Sequence, residues 1–353
     1  MNWEGKRVFL TGHTGFKGGW MTLALHSLGA KVFGYSLEPE TDPSFFEALK
    51  LKDICQHKIG DVRSLENLKA AIERCQPEIV FHLAAQPLVR RSYRDPLETF
   101  STNVMGTAHL LEACRNIETL KAVIVITTDK VYENKELNTG YKEDAPLGGH
   151  DPYSSSKACA ELVATSYRKS FFGSKPVVTV RAGNIIGGGD WSEDRLIPDA
   201  ARAFNEGRPV SIRNPRSVRP WQHVLEPVRG YLMLAEAVAE KKTEHMAFNF
   251  GPNEDQCVPV EKVITRFCSA WPGSKWETVQ LENQPKETNV LMLDSTRVQR
   301  AIDWHPVLSL DQSLDMTAEW YRTFYEGASA NQLRELSLQQ LRKAGVLGQR
   351  RSI

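Results

Sequence analysis

The 353-residue sequence predicts an α/β protein, in which a doubly wound parallel sheet is joined to a smaller mixed α/β cap. Over the first half of the chain, short apolar runs of strand type alternate with stretches in which apolar residues recur at helical spacing. After about Gly187 this alternation stops, and short isolated strand-like runs and long helical stretches follow. Strands that alternate with helices are typical of parallel sheets with helices on both faces.

The first half of the chain supplies the sheet. Compact runs of β-branched, aromatic and other apolar residues predict buried strands at 6–10, 31–35, 79–83, 122–126 and 177–180. Apolar residues spaced three or four apart predict helices at 16–28, 96–116 and 153–172. Gly29 is placed to end the first of these helices, as glycine commonly does.

The second half of the chain predicts the cap. Helical spacing is found at 196–204 and 310–324, and short strand-like runs at 209–212, 248–250 and 290–293. We therefore divide the chain into a sheet domain at 1–183, to which parts of 220–250 return, a cap at 184–330 and a C-terminal tail at 331–353. The tail is polar, and we expect it to be weakly held.

The composition excludes several classes of protein. The 44 basic and 43 acidic side chains leave a net charge of +1, so no basic field favours nucleic acid as a partner. A hydrophobic content of 41% is too high for a disordered chain. No apolar run reaches the roughly 20 residues of a membrane helix, and no secretory signal is found, so we expect no membrane partner and a cytoplasmic location. The six cysteines are dispersed and the histidines lack metal-ligand spacing, so we expect no disulfide framework and no metal.

A glycine-rich segment, Thr11-Gly12-His13-Thr14-Gly15-Phe16-Lys17-Gly18, follows the first strand and opens the first helix. Its glycines let backbone amides approach a pyrophosphate, which the positive end of the helix also attracts. A glycine triplet by itself indicates no more than a tight turn, but its place between strand and helix favours a dinucleotide site. The sequence therefore predicts a Rossmann-type domain whose cofactor meets Gly12, Thr14, Gly15, Phe16, Lys17 and Gly18.

The end of the second strand bears on the choice of cofactor. An acidic residue at this place binds the ribose hydroxyls of NAD. Here the strand ends Tyr35-Ser36-Leu37, and Glu38 is the first acid. Ser36 does not repel a 2′-phosphate, and His13 or Lys17 could attract one. We expect NAD as the cofactor, with NADP left open.

Two polar groups predict chemistry at the same edge of the sheet. Tyr153 and Lys157 share one helix face, where the ammonium is expected to lower the pKa of the phenol so that the phenolate can take a proton from a hydroxyl. Thr127-Thr128-Asp129-Lys130 directly follows a strand, at the carboxyl end where ligands of such sheets bind. Each group alone has a plainer interpretation, as a surface pair or a polar strand end. Behind a Rossmann-type half, they indicate an active site.

In chain order, these motifs resemble the extended short-chain dehydrogenase/reductase family. The matching segments are Gly12 to Gly18, Asp61-Val62, Leu83-Ala84-Ala85-Gln86, Asn103-Val104-x-Gly106-Thr107 and Tyr153-x-x-x-Lys157. Within that family the sequence is similar to the CDP-glucose 4,6-dehydratases, through Gly12–Trp20, Thr127–Lys130, Arg181–Asn184, Gly187–Trp191, Asp194–Asp199 and Arg219–Pro227. The resemblance covers about residues 4–325. Lys286-Glu287-Thr288 departs from it, since relatives often carry His-Glu-Ala there.

The resemblance implies which residues meet the two ligands. Besides the glycine motif, the NAD site would include Asp61, Val62, Leu83, Ala84, Ala85, Thr127, Tyr153 and Lys157. A nucleotide-sugar substrate would meet Gln86, Asn184, Arg195 and Arg219, and arginine suits a pyrophosphate because its planar fork donates two parallel hydrogen bonds. Trp191 and Trp221 would either stack on the base or belong to the core, and Trp304 would be structural.

The resemblance also implies a reaction. Tyr153, with Thr128 and Lys157, would deprotonate the sugar 4-hydroxyl as hydride leaves C4. A base would then remove the C5 proton, Asp129 would help the 6-hydroxyl leave as water, and hydride would return to C6. Lys130 is either that base, if burial and Lys157 keep it neutral, or a cation that stabilises the enolate.

Other functions stay open at this point. A nucleotide-sugar 4-epimerase, a dTDP-glucose dehydratase and a non-catalytic dinucleotide sensor could each use the same fold. The family also implies a homodimer or homotetramer, formed through the helices at 96–116 and 153–172.

Overall fold

The computed structural model describes residues 2–136, 139–279 and 290–348 of the chain. The strands are β1 Arg7–Thr11, β2 Lys31–Ser36, β3 Gln56–Ile59, β4 Ile79–His82, β5 Ala122–Ile126, β6 Val177–Ala182, β7 Ile185–Ile186, β8 Val210–Ile212, β9 Val218–Pro220, β10 Gln222–His223, β11 Ala247–Phe250, β12 Cys257–Pro259 and β13 Trp276–Thr278. The α-helices are α1 Phe16–Ser27, α2 Phe45–Ala48, α3 Leu65–Cys75, α4 Val89–Arg94, α5 Pro96–Phe100, α6 Gly106–Cys114, α7 Pro152–Phe171, α8 Leu196–Asn205, α9 Leu225–Ala239, α10 Val260–Ser269, α11 Thr296–Ile302, α12 Leu310–Tyr325 and α13 Ala330–Lys343. Short 3-10 turns lie at Leu51–Asp53, Asp129–Val131 and Glu254–Gln256, and a π-helical turn at Ser101–Met105.

A seven-stranded parallel sheet in the order β3-β2-β1-β4-β5-β6-β11 forms the centre of the molecule. Alternate residues of β5 enter two different hydrophobic clusters, Ile124 in one and Val123 and Val125 in the other, because successive side chains point to opposite faces. The strand order reverses between β1 and β4, the kind of point at which open α/β sheets bind ligands. The predicted doubly wound sheet is confirmed.

Three predicted elements differ from the structure. Residues 248–250 do not form a separate cap strand, because β11 joins the central sheet parallel to β6. Residues 290–293 form two isolated bridges, Val218 to Val290 and Tyr141 to Leu293, instead of a strand. The single helix predicted at 96–116 is divided into α5, the π-helical turn and α6. The widened turn carries the buried side chain of Asn103, and such turns often occur at functional sites.

The second half of the chain pairs short strands, β8 with β13, β9 with β12 and β7 with β10, among α8, α10 and α12. Its tryptophans belong to the core. The Trp191 ring packs against Trp320, Trp221 is buried with its indole donating to the Val258 carbonyl at 3.1 Å, and Trp304 is fully buried. All of them lie in a hydrophobic cluster that continues from the central sheet. The two halves therefore share one core, and the proposed domain boundaries stay a prediction.

The weakly held tail predicted from residue 331 is wrong for the described part, because α13 is a packed helix. It begins with a capping box between Ser329 and Gln332, and Leu333 and Leu341 are 1% and 0% exposed. Arg334 donates to the Leu49 carbonyl at 2.6 Å, which ties the helix to the first half of the chain. The polar residues that suggested a tail cover the outer face of an amphipathic helix. Residues 349–353 lie outside the described residues.

Leu341→Ala should lower the free energy of unfolding by about 2–5 kcal/mol, because it leaves a cavity where a fully buried leucine packs. Gln339→Ala, at an exposed position of the same helix, is the matched control and should change it by less than about 0.5 kcal/mol. Urea unfolding of both variants measures the difference. Equal stability of the two would contradict a packed α13.

Candidate active site

One cavity of about 1640 Å³ opens at the carboxyl ends of β1, β2, β4, β5 and β6 and extends into the cap. The sequence-predicted cofactor residues all line it, namely Gly12, Thr14, Gly15, Phe16, Lys17, Gly18, Asp61, Val62, Leu83, Ala84, Ala85, Thr127, Tyr153 and Lys157. The other predicted residues line it too, namely Thr128, Asp129, Lys130, Gln86, Asn184, Arg195 and Arg219. The structure thus brings to one cavity every residue predicted for catalysis, cofactor binding or substrate binding.

The glycine turn after β1 is shaped to approach a ligand closely. Gly12 has a φ of +74°, and a Cβ there would lie 2.7 Å from the amide nitrogen of Ala84. A Cβ on Gly18 would collide with the Gly12 carbonyl, whereas one on Gly15 would meet only that oxygen, at 3.4 Å. Gly15 is also the N-cap of α1 and offers no capping side chain, so the first amides of the helix are left for an outside anion. The turn therefore fits the pyrophosphate of a dinucleotide.

At the end of β2 the cavity wall is polar but not acidic. The Ser36 hydroxyl lies 2.8 Å from the Thr14 hydroxyl, within hydrogen-bonding distance. His13 is fully buried, and its Nε2 lies 2.7 Å from Nδ1 of His57. Burial, with the charge of His57, lowers the pKa of the His13 imidazole to about 3. A neutral imidazole has no charge with which to attract a 2′-phosphate, and His13 is not among the residues that line the cavity. The choice between NAD and NADP stays a prediction.

Lys17 lies at the catalytic end of the cavity. Its ammonium is 5.7 Å from the centre of the Tyr231 ring. Burial, with the charges of Lys157 and Arg195, lowers the pKa of this ammonium to about 7, while Asp129 opposes the shift. These neighbours place Lys17 beside the residues predicted for catalysis, and its part in the choice of cofactor stays a prediction.

The residues predicted for catalysis meet directly after β5. The Thr128 hydroxyl donates to Asp129 Oδ1 at 2.9 Å and is hydrogen-bonded to the Tyr153 phenol. Asp129 is 1% exposed, and its Oδ2 has no hydrogen-bond partner among the described residues. Leaving a buried carboxylate oxygen unpaired is costly. This atom is therefore available to a ligand in the cavity.

The Tyr153 phenol does not have the lowered pKa that the sequence predicts. Burial raises its pKa to about 12, although the hydrogen bond with Thr128 and the charge of Arg195 oppose the rise. Lys157 donates to the Ile126 carbonyl at 2.8 Å, and burial lowers the pKa of its ammonium to about 8. In this site the cost of removing a phenolate from water outweighs the nearby cations.

Helix α7 carries Tyr153 and Lys157 and is fixed at its start. Asp151 caps the helix by accepting the Ser154 amide at 2.9 Å. In the π-helical turn, Nδ2 of Asn103 donates to the Ser156 hydroxyl at 2.8 Å. The turn therefore links the catalytic helix to the neighbouring helices.

Two predicted residues differ in detail from what was expected. The Lys130 side chain is 34% exposed, with Nζ 3.9 Å from Asp129 Oδ1. The Gln86 side chain donates through Nε2 to the Thr99 hydroxyl at 2.8 Å, and its Oε1 accepts from the backbone amide of Leu88 at 2.6 Å. Gln86 therefore shapes the wall and keeps one amide hydrogen for a ligand.

The cap side of the cavity carries the cations predicted for a diphosphate. Arg195 donates to Asp190 at 2.8 Å, and about a third of its side chain (34%) stays exposed. Arg219 donates to the Val218 carbonyl at 2.9 Å and lines the cavity together with Asn184. Since guanidinium groups bind phosphates through paired hydrogen bonds, this half of the cavity suits an anionic nucleotide.

Sequence reasoning missed a buried ion pair behind the catalytic residues, between Arg181 and Glu161. Glu161 lies four residues after Lys157, and this spacing was the available signal, because it places both on one helix face. No pattern in the sequence pairs Glu161 with Arg181.

For a metal site and for a membrane-spanning helix, the structure gives findings on the described residues only. Over 2–136, 139–279 and 290–348, no group of His, Cys, Asp and Glu side chains could hold a metal ion. Within the same ranges, no helix has the length and apolar character needed to cross a membrane. The departure noted at Lys286–Thr288 lies outside the described residues.

The fold and the cavity place the protein in the class of the extended short-chain dehydrogenases/reductases. Residues 9–317 match the family model described as GDP-mannose 4,6 dehydratase. The chain belongs to this family.

Three comparisons show what the chain is similar to. The CDP-glucose 4,6-dehydratase of Salmonella typhimurium is 47% identical over 333 residues, which cover 92% of this chain and 93% of the relative. The structure of UDP-glucose 4-epimerase from Thermotoga maritima with UDP-glucose has a TM-score of 0.78 at 21% identity, covering 90% of this chain and 99% of that one. The dTDP-glucose 4,6-dehydratase of Bacillus anthracis in complex with NAD has a TM-score of 0.75 at 22% identity, covering 91% and 98%. At these identities the two structures show the fold alone.

Gly15→Ala should weaken NAD binding by at least about tenfold while leaving the melting temperature unchanged. The added Cβ meets the protein only at 3.4 Å, so any loss must come from the space and the amides that the ligand uses. Isothermal titration with NAD and thermal unfolding measure the two effects. Wild-type affinity for NAD in this variant would show that the glycine turn does not bind the pyrophosphate.

Proposed function

We propose that this chain is a CDP-glucose 4,6-dehydratase, a hydro-lyase that converts CDP-glucose to CDP-4-keto-6-deoxyglucose for deoxysugar biosynthesis. The observation that carries the proposal is the meeting of Thr128, Asp129 and Tyr153 after β5, on the cavity that also contains the glycine turn. The 47% identity to the Salmonella typhimurium CDP-glucose 4,6-dehydratase, over nearly the whole length of both chains, supports it.

NAD is the proposed cofactor. Its pyrophosphate would bind at the glycine turn, where no side chain fits at Gly12 or Gly18. The uncapped start of α1 offers it backbone amides. When bound, NAD supplies the acceptor for the hydride that leaves C4 of the sugar and the donor that returns it to C6. On the cavity wall Arg91 already pairs with Glu40 and Glu98, which leaves it little charge for a 2′-phosphate. We therefore expect NAD to bind more tightly than NADP, and titration with each cofactor measures the difference.

Oxidation at C4 is the first step assigned to this site. Tyr153, as phenolate, accepts the proton of the sugar 4-hydroxyl, and Thr128 holds the same oxygen by a hydrogen bond. Because burial favours the protonated phenol, the phenolate depends on positive charge close to it. Arg195 supplies part of that charge. We assign the rest to Lys157, which follows Tyr153 by four residues on α7 and is protonated below its pKa of about 8.

Loss of water across C5 and C6 is the second step, and we assign it to Lys130 and Asp129. The amine of Lys130 removes the C5 proton, and the electron pair forms the C5–C6 double bond as the 6-hydroxyl leaves with a proton from Asp129. The ammonium then returns its proton to C5 as hydride reaches C6. Lys130 lines the cavity, so a sugar bound there would cover the third of its side chain that is exposed.

Thr128 connects the group that gains a proton in these steps with the group that loses one. After one turnover Tyr153 holds the proton of the 4-hydroxyl, and Asp129 has lost one proton to water. The Thr128 hydroxyl is bonded to both, at 2.9 Å in the case of Asp129 Oδ1. A proton passed from Tyr153 through Thr128 to Asp129 restores both groups without an outside donor.

We also propose that the protein is a homo-oligomer. Large apolar side chains are exposed on α4, α5, the π-helical turn and α7, namely Tyr93 (51%), Leu97 (80%), Met105 (49%), Leu162 (59%) and Phe171 (49%). Packing these helices against those of a second copy would bury them as a dimer, and a further contact would give a tetramer. Light scattering of the wild type and of Leu162→Glu measures the oligomeric state.

The function is tested with purified protein, NAD and four substrates, CDP-, dTDP-, UDP- and GDP-glucose. We expect CDP-glucose to lose one water, detected by mass and by the alkali-induced absorbance of a 4-keto-6-deoxy sugar. Preferred turnover of dTDP-glucose would overturn the base assignment and keep the chemistry. A product of unchanged mass would indicate epimerisation, and no turnover of any substrate would favour a dinucleotide sensor.

Lys130→Met should lower the rate of C5 proton exchange by about 10²–10⁴-fold, the usual contribution of a general base, while C4 oxidation continues. Incorporation of solvent deuterium at C5 reports the exchange, and absorbance of the reduced nicotinamide reports the oxidation. Lys135→Met, a lysine on the wall of the same cavity that is 61% exposed, is the control and should leave both unchanged. Normal exchange in Lys130→Met would show that Lys130 is not the base.

A further inference from the structure

A buried ion pair lies directly behind the residues assigned to catalysis. Arg181, in β6, donates through Nε to Glu161 Oε1 at 2.8 Å and through Nη2 to Oε2 at 2.9 Å. The two side chains are 3% and 4% exposed, and neither lines the cavity. The pair therefore reaches a ligand only through other residues.

Glu161 holds the first end of the catalytic segment. The Thr127 hydroxyl donates to Glu161 Oε1 at 2.6 Å, in addition to a longer contact of 3.1 Å with the Val180 carbonyl. Thr127 is the first residue after β5 and the one directly before Thr128. The carboxylate thus fixes the point at which the chain leaves the sheet.

Arg181 holds the second end. Its Nη1 donates to the Tyr132 hydroxyl at 2.8 Å, and this hydroxyl donates to Asn249 Oδ1 at 2.7 Å. The same Nη1 also donates to the Glu143 carbonyl at 3.0 Å. Tyr132 directly follows the 3-10 turn Asp129–Val131, and it is 1% exposed.

We propose that Glu161 and Arg181 are positioning residues, which hold both ends of the segment Thr128-Asp129-Lys130 and thereby set its place against Tyr153 and the sugar. Glu161 contacts Thr127, the residue directly before this segment. Arg181 contacts Tyr132, which lies two residues after Lys130. The proposal rests on the roles assigned to these residues under the proposed function. It goes beyond them, because it assigns a task to side chains that touch neither substrate nor cofactor.

The charge of Glu161 supports the same inference. Glu161 lies one helical turn after Lys157 on α7, where residues four apart are neighbours. Burial lowers the pKa of the Lys157 ammonium to about 8, and the Glu161 carboxylate opposes that fall. The ion pair therefore also helps Lys157 to keep the charge that the phenolate needs.

The two anchors should affect different steps of the reaction. Tyr132→Phe releases the end of the segment next to Asp129 and Lys130. It should therefore slow C5 exchange and water loss by about 10- to 100-fold, the usual effect of a small misplacement. Because C4 oxidation continues, reduced nicotinamide should accumulate. Thr127→Val releases the end next to Thr128, so it should slow C4 oxidation by a similar factor without that accumulation. The KM for the nucleotide sugar should be unchanged in Tyr132→Phe. These variants keep the ion pair intact, because removing either charge would leave the other buried without a partner.

Matched controls separate positioning from a merely structural role. Tyr231→Phe removes a buried hydroxyl that has no hydrogen-bond partner among the described residues. Thr317→Val removes a buried hydroxyl that donates to the Ser313 carbonyl at 2.6 Å in α12. Both controls should leave the ratio of C5 exchange to C4 oxidation as in the wild type. A structural role alone would lower all rates in the anchor variants by one common factor, in proportion to the folded fraction, and that result would overturn the proposal.

Hydrogen exchange of the backbone amides at 127–132 tests the anchors without any substrate. We expect faster exchange there in Tyr132→Phe and Thr127→Val, and wild-type exchange in the two controls. Unchanged exchange and unchanged kinetics in both anchor variants would overturn the proposal. If the wild type converts no nucleotide sugar, the proposed function fails, and the hydrogen-exchange result still decides whether the ion pair holds the segment.

Discussion

The buried ion pair between Arg181 and Glu161 connects the parts of the structure on which the active site depends. It joins β6 to α7, and through Asn249, which Tyr132 contacts, it reaches β11 at the edge of the sheet. Four hydrogen bonds satisfy the guanidinium, which has five N–H donors. A pair so well satisfied tolerates burial, whereas the loss of either partner costs about 3–5 kcal/mol. Its geometry is therefore fixed together with the core.

The catalytic end of the cavity has the opposite electrostatic character, because like charges lie close together there. Burial and the charges of Lys157 and Arg195 lower the pKa of the Lys17 ammonium to about 7, against the opposing charge of Asp129. Two anionic ligands, a dinucleotide and a nucleotide sugar, would relieve that repulsion. The near-zero net charge of the chain does not show this local crowding of cations. A near-zero total predicts no nucleic-acid partner, and it does not exclude anionic small molecules.

The central sheet and the ligand residues were predictable because each depends on local sequence. Strands such as β5 are wholly buried and wholly apolar, while the edge strand β3, Gln56–Ile59, has three polar residues out of four and was missed. The glycine turn and the Tyr–Lys spacing carry their chemistry in consecutive or near-consecutive residues. The Arg181–Glu161 pair joins residues 20 apart whose contact exists only once β6 and α7 have packed, so no local pattern marks it. The pKa of Tyr153 was mispredicted for a related reason, since the depth of burial decides it and spacing does not show depth.

The fold alone does not choose between epimerisation and dehydration, since a UDP-glucose 4-epimerase shares it with a TM-score of 0.78. The choice depends on what faces the sugar beyond C4. An epimerase of this type needs a tyrosine and a lysine to move one proton and one hydride at a single carbon. It has no use for a buried carboxylate with an unpaired oxygen, which destabilises the fold unless a ligand bonds to it. Asp129 has such an oxygen, at 1% exposure, with a lysine 3.9 Å from its other oxygen. We propose that the sugar hydroxyl that leaves as water bonds to this oxygen. The cost of burying the oxygen without a partner is the physical argument for dehydration.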